Sequence, residues 1–176
     1  MGRPFEVLER RVLCRHGHNA LRADQLAWPD GHRAAYAVVE QRDATLVVAI
    51  SPRRTTFLVR QWRHSWDADS WEVPAGTMEP GEEPLSCAKR ELAEEAGLLA
   101  ERWRSLGTAR AVALSTLKYH LFVARDLTPT ERRPEVYEQD MVVRELPFQR
   151  ALAECREGGI QHAASIVALF RAEPFV

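Results

Sequence analysis

The chain has 176 residues, of which 45% are hydrophobic and 28% are charged, so it is long enough for one ordinary globular core. Its 24 basic and 25 acidic residues give a formal net charge of −1, which argues against recruitment of nucleic acid or of an anionic membrane by an overall field. Three cysteines without a metal-ligand spacing, and the absence of a long apolar run, argue against a disulfide framework, a zinc site and a membrane span, so a cytoplasmic protein is expected.

The N-terminal segment, residues 1–33, is expected to form a small β structure apart from the rest of the chain. Three runs rich in β-branched and aromatic residues follow it, and short polar segments separate them. We predict that these runs are strands of a meander. They lie at residues 34–40, 45–50 and 55–62.

One helix is predicted over residues 84–96. Pro84 suits the first position of a helix, Gly97 suits a left-handed C-terminal cap, and the residues between them favour helix. The rest of the chain is predicted to contain two more strands, a polar loop with two prolines, and two more helices. These are strands 118–124 and 141–146, loop 126–140, and helices 147–158 and 161–172, so the fold is mixed.

The predicted helix carries an unusual group of carboxylates. Glu91 and Glu95 are four positions apart, with Glu94 and Arg90 beside them, so the three acidic side chains project close to one another. One interpretation is a solvated helix face, on which like charges cost only a few tenths of a kcal/mol. The other is a site for Mg²⁺ or Mn²⁺, because these ions prefer oxygen ligands and the preceding glycine-bearing loop could add a backbone carbonyl.

The flanking residues favour the second interpretation, because the whole stretch resembles the Nudix box, G-x5-E-x7-R-E-U-x-E-E-x-G-U, where U is aliphatic. Its fixed positions are filled by Gly76, Glu82, Arg90, Glu91, Leu92, Glu94, Glu95, Gly97 and Leu98. The resemblance implies an α/β/α sandwich with a mixed central sheet and a small N-terminal β subdomain, residues 34–176 being the Nudix hydrolase domain. It also implies an enzyme that uses a divalent metal to cleave a diphosphate linked to a further group.

The resemblance assigns metal binding and catalysis to four positions. Glu91, Glu94 and Glu95 are expected to be metal ligands, together with the backbone carbonyl of Ala75. Glu94 and Glu95 are also expected to take part in catalysis, Glu94 by positioning water. The expected ion is Mg²⁺ or Mn²⁺, which would polarise the phosphorus and lower the pKa of the attacking water.

Four further positions of the box are expected to support these ligands. Arg90, which we also expect to matter for catalysis, and Glu82 would orient the carboxylates, a kind of support that typically changes metal affinity or activity 10- to 100-fold. Gly76 would let the loop approach the helix closely, and Gly97 would end the helix.

The segments "LVRQWRH" and "WEVPAG" resemble those of the ADP-ribose pyrophosphatase branch of this family. By this resemblance Arg60 and Arg63 would hold phosphate or the terminal ribose, and Glu72 would receive a polar group of the ribose or adenine. Tyr36 would stack on the base. Without the resemblance, the two arginines are interpreted as surface charges at a strand end, and the tyrosine as half-buried packing.

Two departures from the branch keep alternatives open. The segment 110–116 lacks the branch's usual Pro-Gly pair, which helps to shape the terminal-ribose pocket. The acidic residue before the last strand, expected as a base or an extra ligand, is assigned to Glu138, although Glu135 and Asp140 lie nearby.

The expected reaction is hydrolysis of ADP-ribose to AMP and ribose 5-phosphate. The alternatives are GDP-mannose or another nucleoside diphosphate sugar as substrate, or a sensor that binds ADP-ribose without cleaving it. The expected partners are a small-molecule nucleoside diphosphate sugar and a second copy of the chain, with the N-terminal segment in the dimer interface and no nucleic acid or membrane.

Overall fold

The computed structural model describes residues 2–133 and 140–176, which form two compact units. The first unit consists of Met1–Asp43 and Arg110–Lys118, and the second of Ala44–Ala109 and Tyr119–Val176. None of the helices in these described ranges is long and apolar enough to cross a membrane.

The first unit contains an antiparallel sheet of three strands, β1 (Glu6–His16), β2 (Asn19–Ala27) and β3 (Arg33–Glu40). Its second segment joins the end of β3, where the N–H of Val39 donates to the carbonyl of Leu114 at 2.8 Å. An N-terminal β subdomain was expected, and its sheet includes β3. A domain division at residue 33, at the start of that strand, stays a prediction.

The described residues of the second unit form two sheets. One is mixed and has the order β7-β4-β9-β8, in which β4 and β9 are parallel; the other has the order β10-β5-β6 and is antiparallel. The strands are β4 (Ala44–Ala49), β5 (Thr55–Arg63), β6 (Ala68–Glu72), β7 (Ala75–Thr77), β8 (Leu98–Arg110), β9 (Lys118–Pro129) and β10 (Val142–Pro147).

The predicted meander is wrong, because β3, β4 and β5 belong to three different sheets. The physical reason lies in β4, whose six residues are all buried. A continuous apolar run of this kind is typical of a strand in the middle of a sheet covered on both faces, and β4 pairs with β7 on one side and β9 on the other.

In the described residues, three α-helices pack on the sheets of the second unit: α1 (Pro84–Ala96), α2 (Phe148–Glu157) and α3 (Ala163–Ala172). The prediction for α1 is confirmed at both ends. Gly97 follows it with φ of 66°, a left-handed conformation that a glycine adopts without a Cβ penalty. The two C-terminal helices are confirmed with slightly shorter bounds.

The layers follow from the alternation of side chains along β4. Leu46 and Val48 pack in a core with residues of α2 and α3, whereas Val47 and Ala49 pack in a second core with residues of α1. Since successive strand residues point to opposite faces, α1 covers one face of the mixed sheet and α2 and α3 the other. This arrangement is the predicted α/β/α sandwich.

The strands β8 and β9 differ from the prediction. The strand β8 was not predicted, since most of its residues are exposed and "LLAERWRSLGTAR" lacks a clear apolar alternation. The strand β9 continues to Pro129, beyond the predicted end at residue 124, through an irregularity at Asp126, whose φ is 55°.

Candidate active site

Glu91 and Glu95 lie on the buried side of α1. Their exposed fractions are 6% and 0%, and their neighbours on the helix include the core residues Ala88 and Leu92. A solvated helix face therefore does not describe these two carboxylates. Glu94 is different, because 32% of its side chain is exposed. Burial of carboxylates is costly unless charged or hydrogen-bonding partners compensate for it. Arg90 and the backbone of Ala75 are such partners.

Arg90 connects the acidic residues of the box. Its Nη1 donates to Oε1 of Glu91 at 2.7 Å and to Oε2 of Glu94 at 3.1 Å. Its Nε and Nη2 donate to the two carboxylate oxygens of Glu82 at 3.1 and 3.0 Å. These bonds to Arg90 lower the pKa of Glu82, and the bond to Glu82 is the main cause that raises the pKa of Arg90. The guanidinium thus orients three carboxylates around one charge.

The strand β7 receives the two buried carboxylates. The N–H of Ala75 donates to Oε2 of Glu95 at 2.8 Å. At the next residue, a Cβ added to Gly76 would lie only 1.9 Å from Oε1 of Glu91, so that carboxylate packs directly against the glycine backbone. Glu91 and Glu95 therefore meet successive residues of one short strand.

The chemistry of these groups fits a hard divalent cation. Glu91, Glu94 and Glu95 offer carboxylate oxygens, and the backbone of residues 75–76 lies against two of them. In the described part of the chain, no three His, Cys, Asp or Glu side chains already converge enough to hold an ion by themselves. Backbone, water and substrate oxygens would have to complete the coordination, which is usual for Mg²⁺.

A second charged group is centred on Glu72, which is 1% exposed. Arg63 donates to it through Nε at 2.7 Å and Nη2 at 2.5 Å, a bidentate pair. On the other side, Nδ1 of His162 lies 2.9 Å from Oε2 of Glu72. Burial alone would raise the pKa of Glu72, but the bonds from Arg63 and His162 outweigh it and lower the pKa to about 2.

This pKa predicts an acid-sensitive contribution to stability. A carboxyl group whose pKa falls from 4.5 to about 2 on folding stabilises the protein above pH 4.5, and this contribution is lost as the pH falls toward 2. Between pH 6 and 3 the wild type should lose about 2 kcal/mol of unfolding free energy that Glu72→Gln does not lose. Urea denaturation of both proteins at the two pH values measures the difference, with the exposed Glu157→Gln as control. Parallel losses in wild type and Glu72→Gln would contradict the assignment.

The other predicted substrate residues are placed as follows. Arg60 on β5 is 3.7 Å from Asp69, and 41% of its side chain is exposed. Tyr36 lies on β3 of the first unit and is 45% exposed. Glu135 and Glu138 lie outside the described residues, and Asp140 is exposed. The roles proposed for Tyr36, Arg60 and Glu138 stay predictions.

The sequence did not predict the contacts of His162 with Glu72 and of Ser165 with Val73, at the start of α3. Ser165 is fully buried, its Oγ is 2.9 Å from Nδ1 of His162, and it accepts a hydrogen bond from the N–H of Val73 at 3.0 Å. The only signal in the sequence was a histidine and a serine three positions apart at a predicted helix start, where polar residues are common. A contact with a strand about ninety positions away leaves no local trace.

Known proteins match this chain over most of its length. The NUDIX domain family matches residues 40–159. The chain is 32% identical over 166 residues to the ADP-ribose pyrophosphatase of Mycobacterium tuberculosis, covering 92% of this chain and 80% of that protein. It is 30% identical over 151 residues to the methanol dehydrogenase activator of Bacillus methanolicus, covering 85% and 82%. It is 31% identical over 135 residues to the GDP-mannose pyrophosphatase of Salmonella arizonae, covering 72% and 70%.

A solved structure supports the same fold. The crystal structure of an ADP compounds hydrolase superposes with a TM-score of 0.86, covers 98% of this chain and 94% of that one, and is 21% identical in sequence. At that identity the likeness shows the fold alone. The family match and the relatives of at least 30% identity show that the chain belongs to the Nudix family and is a Nudix pyrophosphatase.

Proposed function

We propose that this protein is a divalent-metal-dependent hydrolase of nucleoside diphosphate sugars, and that ADP-ribose is its substrate, yielding AMP and ribose 5-phosphate. The observation that carries the proposal is the buried pair of carboxylates, Glu91 and Glu95, held against β7 beside Arg90. The similarity to an ADP-ribose pyrophosphatase over 92% of the chain supports the choice of substrate.

The residues of the proposed metal site have two roles, which are to hold the ion and to position the reactants. Glu91, Glu95 and the Ala75 carbonyl would hold Mg²⁺ or Mn²⁺, and Glu94, the more exposed carboxylate, would add a ligand or orient the attacking water. When bound, the ion polarises the phosphorus, lowers the pKa of water and neutralises the leaving phosphate. Arg90 would orient the carboxylates, because it donates to two of them.

We propose that Arg63 meets a phosphate or ribose of the substrate. Two of its five N–H groups are used by Glu72, and 34% of its side chain remains exposed. Because Glu72 is buried and already accepts from Arg63 and His162, we propose that it acts mainly by fixing the direction of Arg63. A guanidinium fixed on one edge can present the other edge to an anion with little loss of entropy.

The proposed general base is Glu138, and two glutamine variants test the choice. Glu138→Gln is expected to lower kcat by about 10²- to 10⁴-fold, the usual contribution of a general base, while Glu135→Gln keeps near-normal kcat. The measurement is kcat at saturating metal and substrate. The opposite pattern, with Glu135→Gln crippled and Glu138→Gln normal, would move the role to Glu135.

GDP-mannose is the second candidate substrate, and two observations favour it. The chain is 31% identical to a GDP-mannose pyrophosphatase, and its segment 110–116 lacks the Pro-Gly pair expected for a terminal-ribose pocket. A sensor that binds without cleaving is less well supported, since binding alone has no chemical need for all three carboxylates of the box.

The deciding experiment is phosphate-coupled turnover with Mg²⁺ or Mn²⁺ on a substrate panel. It should include ADP-ribose, GDP-mannose, UDP-glucose, NADH, diadenosine polyphosphates and nucleoside triphosphates. Highest kcat/KM on ADP-ribose supports the proposal, and highest kcat/KM on another diphosphate sugar replaces the substrate but keeps the reaction. Tight binding without turnover would favour the sensor.

We also propose that the protein is a cytoplasmic homodimer in which the N-terminal segment, residues 1–33, contributes to the interface. The support is the likeness to the ADP-ribose pyrophosphatase branch. Light scattering coupled to size exclusion measures the mass directly. A mass near the 20.0 kDa of one chain would reject the dimer.

A further inference from the structure

The start of α3 holds the segment 72–75 at two neighbouring residues. His162 directly precedes α3, and Ser165 lies in its first turn. Nδ1 of His162 lies 2.9 Å from Oε2 of Glu72, and Oγ of Ser165 accepts from the N–H of Val73 at 3.0 Å. Glu72 is thus held through its side chain, and Val73 through its backbone.

Other elements form hydrogen bonds with the next two residues of this segment, Pro74 and Ala75. The carbonyl of Pro74 accepts from the N–H of Val47 at 2.9 Å, and the N–H of Ala75 donates to Oε2 of Glu95 at 2.8 Å. Pro74 has a fixed φ, so the segment has few ways to absorb a shift at Val73. A displacement at Val73 would therefore move Ala75 relative to Glu95.

The ring of His162 is itself fixed by its surroundings. The rings of Trp66 and Tyr119 lie 6.1 and 6.3 Å from it, centroid to centroid. Because the carboxylate of Glu72 only accepts hydrogen bonds, the nitrogen that faces it must carry the proton. We therefore assign the proton to Nδ1, between Glu72 and Ser165.

We propose that His162 and Ser165 are positioning residues of the metal site, which hold the segment 72–75 so that Ala75 meets the carboxylate of Glu95. The inference rests on the proposed function for the presence of an ion at Glu91 and Glu95. Neither residue touches that ion or the substrate. Both act through the backbone and through Glu72, and their removal should weaken metal binding before it unfolds the protein.

Mn²⁺ binding to the metal-free protein tests this without any substrate. The electron paramagnetic resonance signal of free Mn²⁺ gives the Kd during a titration. Ser165→Ala should raise that Kd about 10-fold, the lower end of the range for residues that support metal ligands. His162→Gln should also raise it, whereas His162→Asn should restore most of the affinity, because its amide nitrogen can take the place of Nδ1.

Leu152→Ala is the matched control for lost stability. Leu152 is fully buried in α2, a helix that packs on α3, β5 and β10, so its truncation destabilises the core without removing a hydrogen bond of segment 72–75. It should keep the wild-type Kd at a temperature where circular dichroism shows all variants folded.

Two results would overturn the inference. One is a wild-type Kd in folded Ser165→Ala and His162→Gln, and the other is an equal rise of Kd in Leu152→Ala. If Ser165→Ala does not fold, the comparison of Asn with Gln at His162 decides, since both are amides that differ in where the nitrogen lies. A wild type that binds Mn²⁺ at Glu91 and Glu95 but hydrolyses no diphosphate sugar would reject the proposed function and leave this inference standing.

Discussion

Glu95→Gln is expected to lower kcat by at least about 100-fold while leaving the fold intact, since Glu95 is a proposed metal ligand and activation by the proposed ion would carry most of the chemistry. Glu95 is fully buried, and its Oε2 accepts a hydrogen bond from the N–H of Ala75 at 2.8 Å. The carbonyl oxygen of glutamine can accept the same bond, so the local backbone should stay in place. The negative charge is lost, and with it a ligand suited to a divalent ion.

The measurement is kcat at saturating Mg²⁺ and substrate, together with the midpoint of thermal unfolding. Glu157→Gln is a suitable control, because its side chain is 58% exposed on α2 and makes a surface ion pair, a kind worth little. It should behave like wild type in both measurements. Near-normal kcat in Glu95→Gln would show that Glu95 is not a ligand in the proposed metal site.

The helix α1 could be predicted from the sequence because its determinants are local. Pro84 and Gly97 mark the two ends. In the structure α1 begins at Pro84, and Gly97 directly follows its last residue. The fixed spacing of the box then places Glu91 and Glu95 on one side of the helix. Only the tertiary structure shows that this side is the buried one, with β7 against it.

The pairing of strands could not be predicted in the same way. The strands β4 and β9 lie side by side although 75 positions separate their paired residues, such as Ala44 and Tyr119, and nothing in the sequence of either strand specifies the other. The expected meander joined strands that are neighbours in sequence. The apolar run of β4 was compatible with that arrangement and with the observed one.

Arg63 and Glu72 show a third situation, in which the structure adds a contact that the sequence did not predict, while their roles toward the substrate stay predictions. Each was expected to meet the substrate. They lie on adjacent antiparallel strands, β5 and β6, and bind each other. The third member, His162, comes from α3 and could not be inferred from the hairpin alone. A site built from distant segments is therefore visible in the sequence only as separate candidates.

Gly76→Ala is expected to lower catalysis with little loss of stability and without removing any charged group. The backbone of Gly76 has no left-handed φ, so alanine meets no conformational strain there. Its Cβ would, however, lie 1.9 Å from Oε1 and 2.0 Å from Cδ of Glu91, which forces that carboxylate to move. The end of a flexible side chain can move at small cost in stability, but Glu91 would leave its position at β7 and strain its 2.7 Å bond to Arg90.

We expect kcat to fall about 100-fold in Gly76→Ala, the effect typical of a misplacement of about 1 Å in an active site, with the unfolding midpoint within a few degrees of wild type. Gly159→Ala is the matched control, since its added Cβ would meet its nearest atom at an ordinary 3.5 Å. It should leave both quantities unchanged. Normal kcat in Gly76→Ala would show that the reaction does not need Glu91 where β7 holds it. Loss of folding would instead give Gly76 a structural role, because the protein would then need the contact between glycine and carboxylate in order to fold.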